Sequence, residues 1–96
     1  MTEQQIQQKI IFWLITNHHE PYKIIAANKN GVPDILCCLS SGRFLAIEVK
    51  KPGGKASPMQ RYRIRRILER GGLGLITDNL EEVKEYLEKV NFSLDK

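Results

Sequence analysis

Residues 31–50 read GVPDILCCLSSGRFLAIEVK, and this stretch decides the fold. It contains two mainly apolar segments, Pro33–Leu39 and Arg43–Lys50, which Ser40-Ser41-Gly42 separates. Short apolar segments bounded by turn residues are typical of β-strands, and a three-residue loop with a glycine is typical of a hairpin. The second segment is rich in apolar residues, with five among its eight positions, which predicts a central strand covered on both faces.

The length of the hairpin loop determines which side chains face each other. With three loop residues, Leu39 pairs with Arg43, and counting outward places Asp34 directly opposite Glu48. Opposed residues in an antiparallel pair share a face, with Cβ atoms about 4.5–5.5 Å apart. A two-residue loop would place Asp34 opposite Val49 instead, on the wrong face for Glu48. A site that both carboxylates share therefore requires a three-residue loop or a bulge.

The rest of the chain predicts one layered α/β domain. Hydrophobic periodicity and helix caps predict a first helix over residues 3–18, closed by Pro21, and a second helix that begins at Pro58 behind the N-cap Ser57. The other predicted features are a strand over Tyr22–Ala27, an end of the second helix near Arg70, a strand over Leu73–Thr77 and a last helix from Leu80. The order α-β-β-β-α-β-α predicts a mixed sheet flanked by helices, in a single domain that spans residues 1–96.

Charge is unevenly distributed along the chain. The formal net charge is +4, but residues 50–70 hold eight basic residues and one acidic residue, so this segment carries +7. A local basic field favours a polyanion such as nucleic acid as partner, although a solvated helix face would give the same pattern.

The sequence contains no pattern for export or membrane insertion. Cys37 and Cys38 are adjacent and would point to opposite faces of a strand, which argues against a disulfide between them and suits a reducing compartment. The N-terminus lacks a signal-peptide pattern, and no apolar run has the length of a membrane span. We therefore expect a cytoplasmic protein without a membrane partner, for which a phage or bacterial origin is plausible.

Asp34, Glu48 and Lys50 form the candidate reactive group. Lys50 follows Glu48 by two residues and so shares its face. A surface charge cluster would contain the same residue types. However, one lysine neutralises only one of two carboxylates, and the surrounding strands are apolar, where an unpaired charge is costly. An additional cation would relieve the repulsion, and ligands that are all oxygen suit Mg²⁺ or Mn²⁺.

These motifs resemble those of the VRR-NUC (virus-type replication–repair nuclease) branch of the PD-(D/E)-x-K nuclease superfamily. The resemblance rests on Gly31–Ile35, on Ile47–Pro52 and on Gln60 in the following helix, and it extends from Glu3 to about Gly74. It implies a restriction-endonuclease-like α-β-β-β-α-β core. It also implies a metal-dependent endonuclease that acts on DNA.

The resemblance implies roles for individual residues of the hairpin. Asp34 and Glu48 would bind a divalent metal, Mg²⁺ or Mn²⁺, together with the main-chain carbonyl of Val49. Lys50 would orient or help to deprotonate the attacking water and would stabilise charge on the phosphate.

By the same resemblance, Gln60 and Glu3 would complete the catalytic group from the two helices. Helical phase independently places Gln60 on the inward stripe of Ile64 and Ile67, while Gln60 also fits a capping box with Ser57. Glu3 also fits an ordinary first-turn acid that is favourable to the helix dipole.

Basic residues next to this group predict DNA contacts, at Lys51, Lys55, Arg61 and Arg65. Such contacts bind phosphate and carry no base specificity. The leading hypothesis is a metal-dependent, structure-selective DNA endonuclease, and the family resemblance suggests branched DNA, such as a four-way junction or a flap. Because a domain this small would cover little DNA and symmetric cutting needs two sites, we expect a homodimer. The alternative is a non-catalytic nucleic-acid-binding module of a repair or packaging complex. A sequence-specific restriction-type nuclease is a third hypothesis, for which this length leaves no room for a recognition domain.

Overall fold

The computed structural model describes residues 1–94, with side chains up to residue 90, so the last two residues of the predicted domain lie outside the described part. The elements are α1 (Glu3–Thr16), β1 (Glu20–Lys23), β2 (Ile35–Cys38), β3 (Phe44–Val49), α2 (Pro58–Glu69), β4 (Leu73–Thr77) and α3 (Leu80–Leu94). The predicted element order is confirmed. No helix within residues 1–94 combines the length and the apolar character that a membrane crossing requires.

The four strands form one mixed sheet in the order β1-β2-β3-β4. β1 and β2 pair antiparallel, as do β2 and β3, whereas β3 and β4 pair parallel. In the hairpin, Ile35 lies opposite Ile47. The Leu39 N–H donates to the Arg43 carbonyl at 2.9 Å, and Gly42 closes the loop with a φ of 87°. The three-residue loop and the register that it predicts are therefore confirmed.

Helices cover both faces of this sheet. On one face, α1 and α3 pack over a buried core that includes Ile10 and Ile47. On the other face, α2 packs on β3 and β4 so closely that a Cβ on Gly74 would lie 3.2 Å from Cγ2 of Ile64. Gly74 pairs with Ala46 of β3. Because side chains alternate along a strand, the even-numbered positions of β3 face α2 and the odd-numbered positions face α1 and α3.

The predicted bounds of the first helix and the first strand were wrong. The helix ends at Thr16 because the N–H groups of His18 and His19 turn back to carbonyls of the last turn, with His18 in the left-handed region at a φ of 68°. The strand then begins at Glu20 and contains Pro21, whereas the sequence predicts a strand that starts only after this proline. β1 is an edge strand, and Pro21 occupies a position whose nitrogen faces the open edge, where no donor is needed.

Candidate active site

Three segments of the chain meet at one end of the sheet. β3 ends there, β2 begins there because it runs antiparallel to β3, and α2 begins there because only a short loop separates it from β3. Glu48 and Lys50 lie on the face that α2 covers. Asp34 continues the hairpin register by one step and so lies opposite Glu48. The structure therefore brings together the three side chains that the sequence singled out.

Asp34 is fixed in place from both sides. Its carboxylate oxygen Oδ2 accepts a hydrogen bond from the main-chain N–H of Val49 at 2.8 Å. Its main-chain carbonyl accepts a hydrogen bond from the N–H of Ile24, also at 2.8 Å. The side chain is half-buried, so one side of the carboxylate remains open to solvent or to a ligand.

Glu48 is a buried carboxylate that lacks hydrogen-bond donors. Its exposure is 1%, and within the described part of the chain neither carboxylate oxygen has a hydrogen-bond partner. The Lys50 ammonium lies 3.5 Å from Oε2 and is the nearest compensating charge that the structure records. Burial raises the pKa of Glu48 to about 8, the adjacent Asp34 carboxylate adds to this increase, and Lys50 opposes it. A further cation beside Glu48 would offset the energetic cost of its charge.

A third candidate oxygen at this end of the sheet is the main-chain carbonyl of Val49. The Lys50 N–H donates to the Thr77 carbonyl of β4 at 2.9 Å, so the peptide groups of Val49 point the other way, toward β2. Continued by two residues beyond Ile35 and Ile47, the register would place residue 33 opposite Val49, where its N–H would donate to the Val49 carbonyl. Proline has no N–H, so this ladder hydrogen bond cannot form. From the sequence, Pro33 was interpreted only as the start of a strand, and this consequence was missed.

These donors fit a hard divalent cation. Two carboxylates and one main-chain carbonyl supply oxygen only, which is the ligand type that Mg²⁺ and Mn²⁺ prefer. Within residues 1–94, no three side chains of His, Cys, Asp or Glu gather into one group. A cation held here by Asp34, Glu48 and the Val49 carbonyl would therefore keep water in its remaining positions, as Mg²⁺ commonly does.

Glu3 reaches the end of β3 from the first turn of α1. Its carboxylate oxygen Oε2 accepts a hydrogen bond from the N–H of Lys51 at 3.3 Å. The structure thus places Glu3 beside the residue that follows Lys50. It does not place Glu3 in one carboxylate group with Asp34 and Glu48.

Gln60 forms a capping box at the start of α2. Its side-chain oxygen accepts from the Ser57 N–H at 2.9 Å, and its own N–H donates to Ser57 Oγ at 3.1 Å. Along the same helix, Ile67 packs near Gly72 and Ile64 packs near Gly74. Extending this stripe by one turn brings Gln60 to the level of Glu48. The capping interaction is observed, and the contribution of Gln60 to the site stays a prediction.

The basic residues form an exposed surface next to the site. The side chains predicted to bind DNA are all exposed, at Lys51, Lys55, Arg61 and Arg65. Arg61 donates to the Ala56 carbonyl at 2.6 Å, which fixes it over the loop before α2. The Arg65 guanidinium lies 5.9 Å from the Tyr62 ring centroid. In the part of the chain that the structure describes, the recorded ion pairs are Lys50–Glu48 and a pair within α3, so the arginines of α2 are not in ion pairs.

Comparisons with known proteins agree with this architecture. A sequence profile of the VRR-NUC domain matches residues 1–75, a range that includes the hairpin and α2. The chain is 31% identical over 70 residues to Putative nuclease p44 of Acyrthosiphon pisum secondary endosymbiont phage 1, which covers 73% of this chain and 74% of that protein. A solved VRR-NUC domain superimposes with a TM-score of 0.79 at 23% identity, covering 92% of this chain and 97% of the other. A second, a VRR-NUC domain protein, has a TM-score of 0.72 at 20% identity, covering 92% and 89%.

Proposed function

Because the chain belongs to the VRR-NUC domain family of nucleases, as its motifs indicate, we propose that it is a metal-dependent endonuclease that hydrolyses phosphodiester bonds in branched DNA. The observation that carries the proposal is the Glu48 carboxylate, which is buried, lacks hydrogen-bond donors and lies opposite Asp34. A protein that only bound DNA would gain nothing from two opposed carboxylates near phosphate, because they repel it.

In this proposal, Asp34, Glu48 and the Val49 carbonyl hold Mg²⁺ or Mn²⁺. The bound ion supplies Lewis acidity and a water of lowered pKa. Val49 keeps the Asp34 carboxylate oriented through its N–H. Lys50, whose side chain is 16% exposed, places positive charge where negative charge develops on the phosphate, and it can orient the attacking water. Glu48 must be ionised to act, so the ion and Lys50 together offset its desolvation.

Two residues from the helices support this group in the proposal. Glu3 holds the Lys51 backbone and so fixes the chain just beyond Lys50. Gln60 stabilises the start of α2 and approaches the level of Glu48. In the structure, the recorded side-chain hydrogen bonds of both residues go to main-chain N–H groups, so the proposal gives them a positioning role.

In this proposal, DNA binds to the basic surface beside the site. Lys51, Lys55, Arg61 and Arg65 are exposed and carry charge toward a polyanion. Contacts of this kind bind phosphates, orient the duplex and give a strong dependence of affinity on salt.

The size of the molecule supports a homodimer on branched DNA. Its longest extent is 34 Å, which is about one turn of duplex DNA. One copy can therefore contact one arm near a branch point, and symmetric cutting of a four-way junction requires a second copy. Sedimentation that shows only a monomer at micromolar concentration, both free and with junction DNA, would contradict this part of the proposal.

A cleavage assay tests the function. The protein is incubated with labelled linear duplex, flap and four-way junction, each with Mg²⁺, with Mn²⁺ and with EDTA, and D34N serves as the matched control. We expect cleavage of the branched substrates that requires the metal and that D34N lacks. Binding without cleavage on every substrate would favour the non-catalytic nucleic-acid-binding module, and cleavage at one fixed sequence of linear duplex would favour a restriction-type enzyme.

A further inference from the structure

The loop between β1 and β2 exposes an apolar side chain beside the site. Residues 25–30 are exposed without interruption, and Ile25 is 91% exposed, more than any other large apolar residue in the described part of the chain. Single exposed apolar side chains are common on protein surfaces. The location of Ile25 and the charges around it distinguish it from such residues.

Ile25 lies at the same end of the sheet as Asp34 and Glu48. β1 and β3 run in the same direction, because each is antiparallel to β2, so the last residues of both strands lie at this end of the sheet. Ile24 donates its N–H to the Asp34 carbonyl at 2.8 Å, which places Ile25 one residue from a direct contact with the site. Neighbouring strands are about 4.8 Å apart, so β1, which ends two residues before Ile25, is about 10 Å from β3 across the sheet.

Hydrogen bonds and packing anchor both ends of the loop between β1 and β2. At its far end, the Asn30 carbonyl accepts a hydrogen bond from Arg63 Nε at 3.0 Å. Gly31, with a φ of 74°, packs so closely on Met59 that a Cβ there would lie 2.6 Å from its side chain. Anchoring at Ile24 and at residues 30–31 presents Ile25 in a defined position and lowers the ordering cost of an insertion.

The charges near Ile25 favour a polyanion over a protein partner. The segment from residue 21 to residue 33 contains Lys23 and Lys29 and no acidic residue, and its anchor is the basic helix α2. Apolar side chains, isoleucine among them, insert between DNA base steps in some proteins, and the lysines on both sides of Ile25 could bind the flanking phosphates.

Resting on the proposed function, we propose that Ile25 inserts between neighbouring bases close to the cleaved phosphate and so selects DNA that is already unstacked at a branch. Inserting a side chain costs the stacking energy of one step, and this cost is lowest where a junction has already interrupted the stack. Ile25 would thus determine specificity without contacting the reacting atoms.

The test uses 2-aminopurine, a base whose fluorescence increases when it is unstacked. It is placed in turn at each of the six nucleotides on both sides of the branch point of a four-way junction and at the same positions of a linear duplex, and fluorescence is read in EDTA. The wild type is compared with I25S, with the conservative I25L, and with I15S, which removes a 57% exposed isoleucine from the far end of α1.

We expect an increase in fluorescence that is confined to neighbouring positions at the branch, is lost in I25S and is retained in I25L and I15S. I25S should also bind the junction about tenfold more weakly and lose preference for it over linear duplex, while it still cleaves a duplex with unpaired bases at that position. Equal fluorescence and equal junction preference in wild type and I25S would overturn the proposal that Ile25 inserts between bases. If the wild type unstacks the DNA through Ile25 but cleaves no substrate with Mg²⁺ or Mn²⁺, the proposed nuclease function fails, while the insertion of Ile25 is supported.

Discussion

The main-chain N–H of Val49 donates a hydrogen bond of 2.8 Å to Oδ2 of Asp34. In a regular hairpin, this N–H would donate to the carbonyl of Pro33, the residue opposite Val49. The Asp34 side chain has therefore replaced a backbone acceptor and is fixed to the strand that carries Glu48. Pro33 has no N–H to donate, so in the proposed site the Val49 carbonyl would be left for the cation.

Replacing Asp34 by Asn should separate structure from chemistry. The amide oxygen of Asn can still accept from the Val49 N–H, so we expect a stability loss of no more than about 1 kcal/mol. Cleavage should be abolished because one ionised ligand is missing, and affinity for DNA in EDTA should be retained or increased because repulsion toward phosphate falls. Thermal unfolding, cleavage and metal-free binding are measured on the same preparation. Full activity in D34N would refute the site.

The pKa of Glu48, raised to about 8, predicts how stability depends on pH. A carboxyl group whose pKa is higher in the folded than in the unfolded protein destabilises the fold once it loses its proton. In EDTA, stability should therefore fall by a few kcal/mol as pH rises from about 4.5 to about 8, and E48Q should flatten this fall.

Mn²⁺ should counteract this loss of stability at high pH. Because the ion binds ionised Glu48, the increase in melting temperature caused by Mn²⁺ should grow from pH 6 to pH 9 in wild type and should be absent in E48Q. Parallel pH curves for wild type and E48Q in EDTA would show that Glu48 does not titrate in this range.

Replacing Pro33 by Ala should weaken metal binding without touching a ligand side chain. The alanine supplies the N–H that Pro33 lacks, and this N–H can pair with the Val49 carbonyl, which then becomes a poorer ligand. We expect about a tenfold loss of Mn²⁺ affinity in calorimetry. P21A is the control, because Pro21 faces the open edge of β1. Unchanged Mn²⁺ affinity in P33A would exclude the carbonyl from the site.

Removing Arg61 or Arg65 should weaken DNA binding and reduce its dependence on salt. Each phosphate contact that is lost should decrease the slope of log affinity against log salt by about 0.9 for duplex DNA. The matched control is K84A, because Lys84 lies on α3 and already pairs with Glu81. A slope that is the same for wild type, R61A and R65A would remove these arginines from the interface.

The hairpin could be predicted from sequence because its register depends on local features. Three loop residues predict the pairing of Asp34 with Glu48, and the structure has the same register up to the preceding pair, Ile35 opposite Ile47. The bounds of β1 could not be predicted in the same way, because His18 adopts a left-handed conformation that sequence rules assign to Gly or Asn. The contact of Glu3 with the Lys51 backbone joins residues far apart in the chain, and it depends on how α1 packs on the sheet.

A crystal soaked in Mn²⁺ and measured for anomalous scattering tests the central claim most directly. We predict a peak bounded by the carboxylates of Asp34 and Glu48 and the main-chain carbonyl of Val49, and no peak there in a crystal of D34N. Anomalous density elsewhere, or none between Asp34 and Glu48 in a crystal whose protein cleaves DNA with Mn²⁺, would contradict the claim.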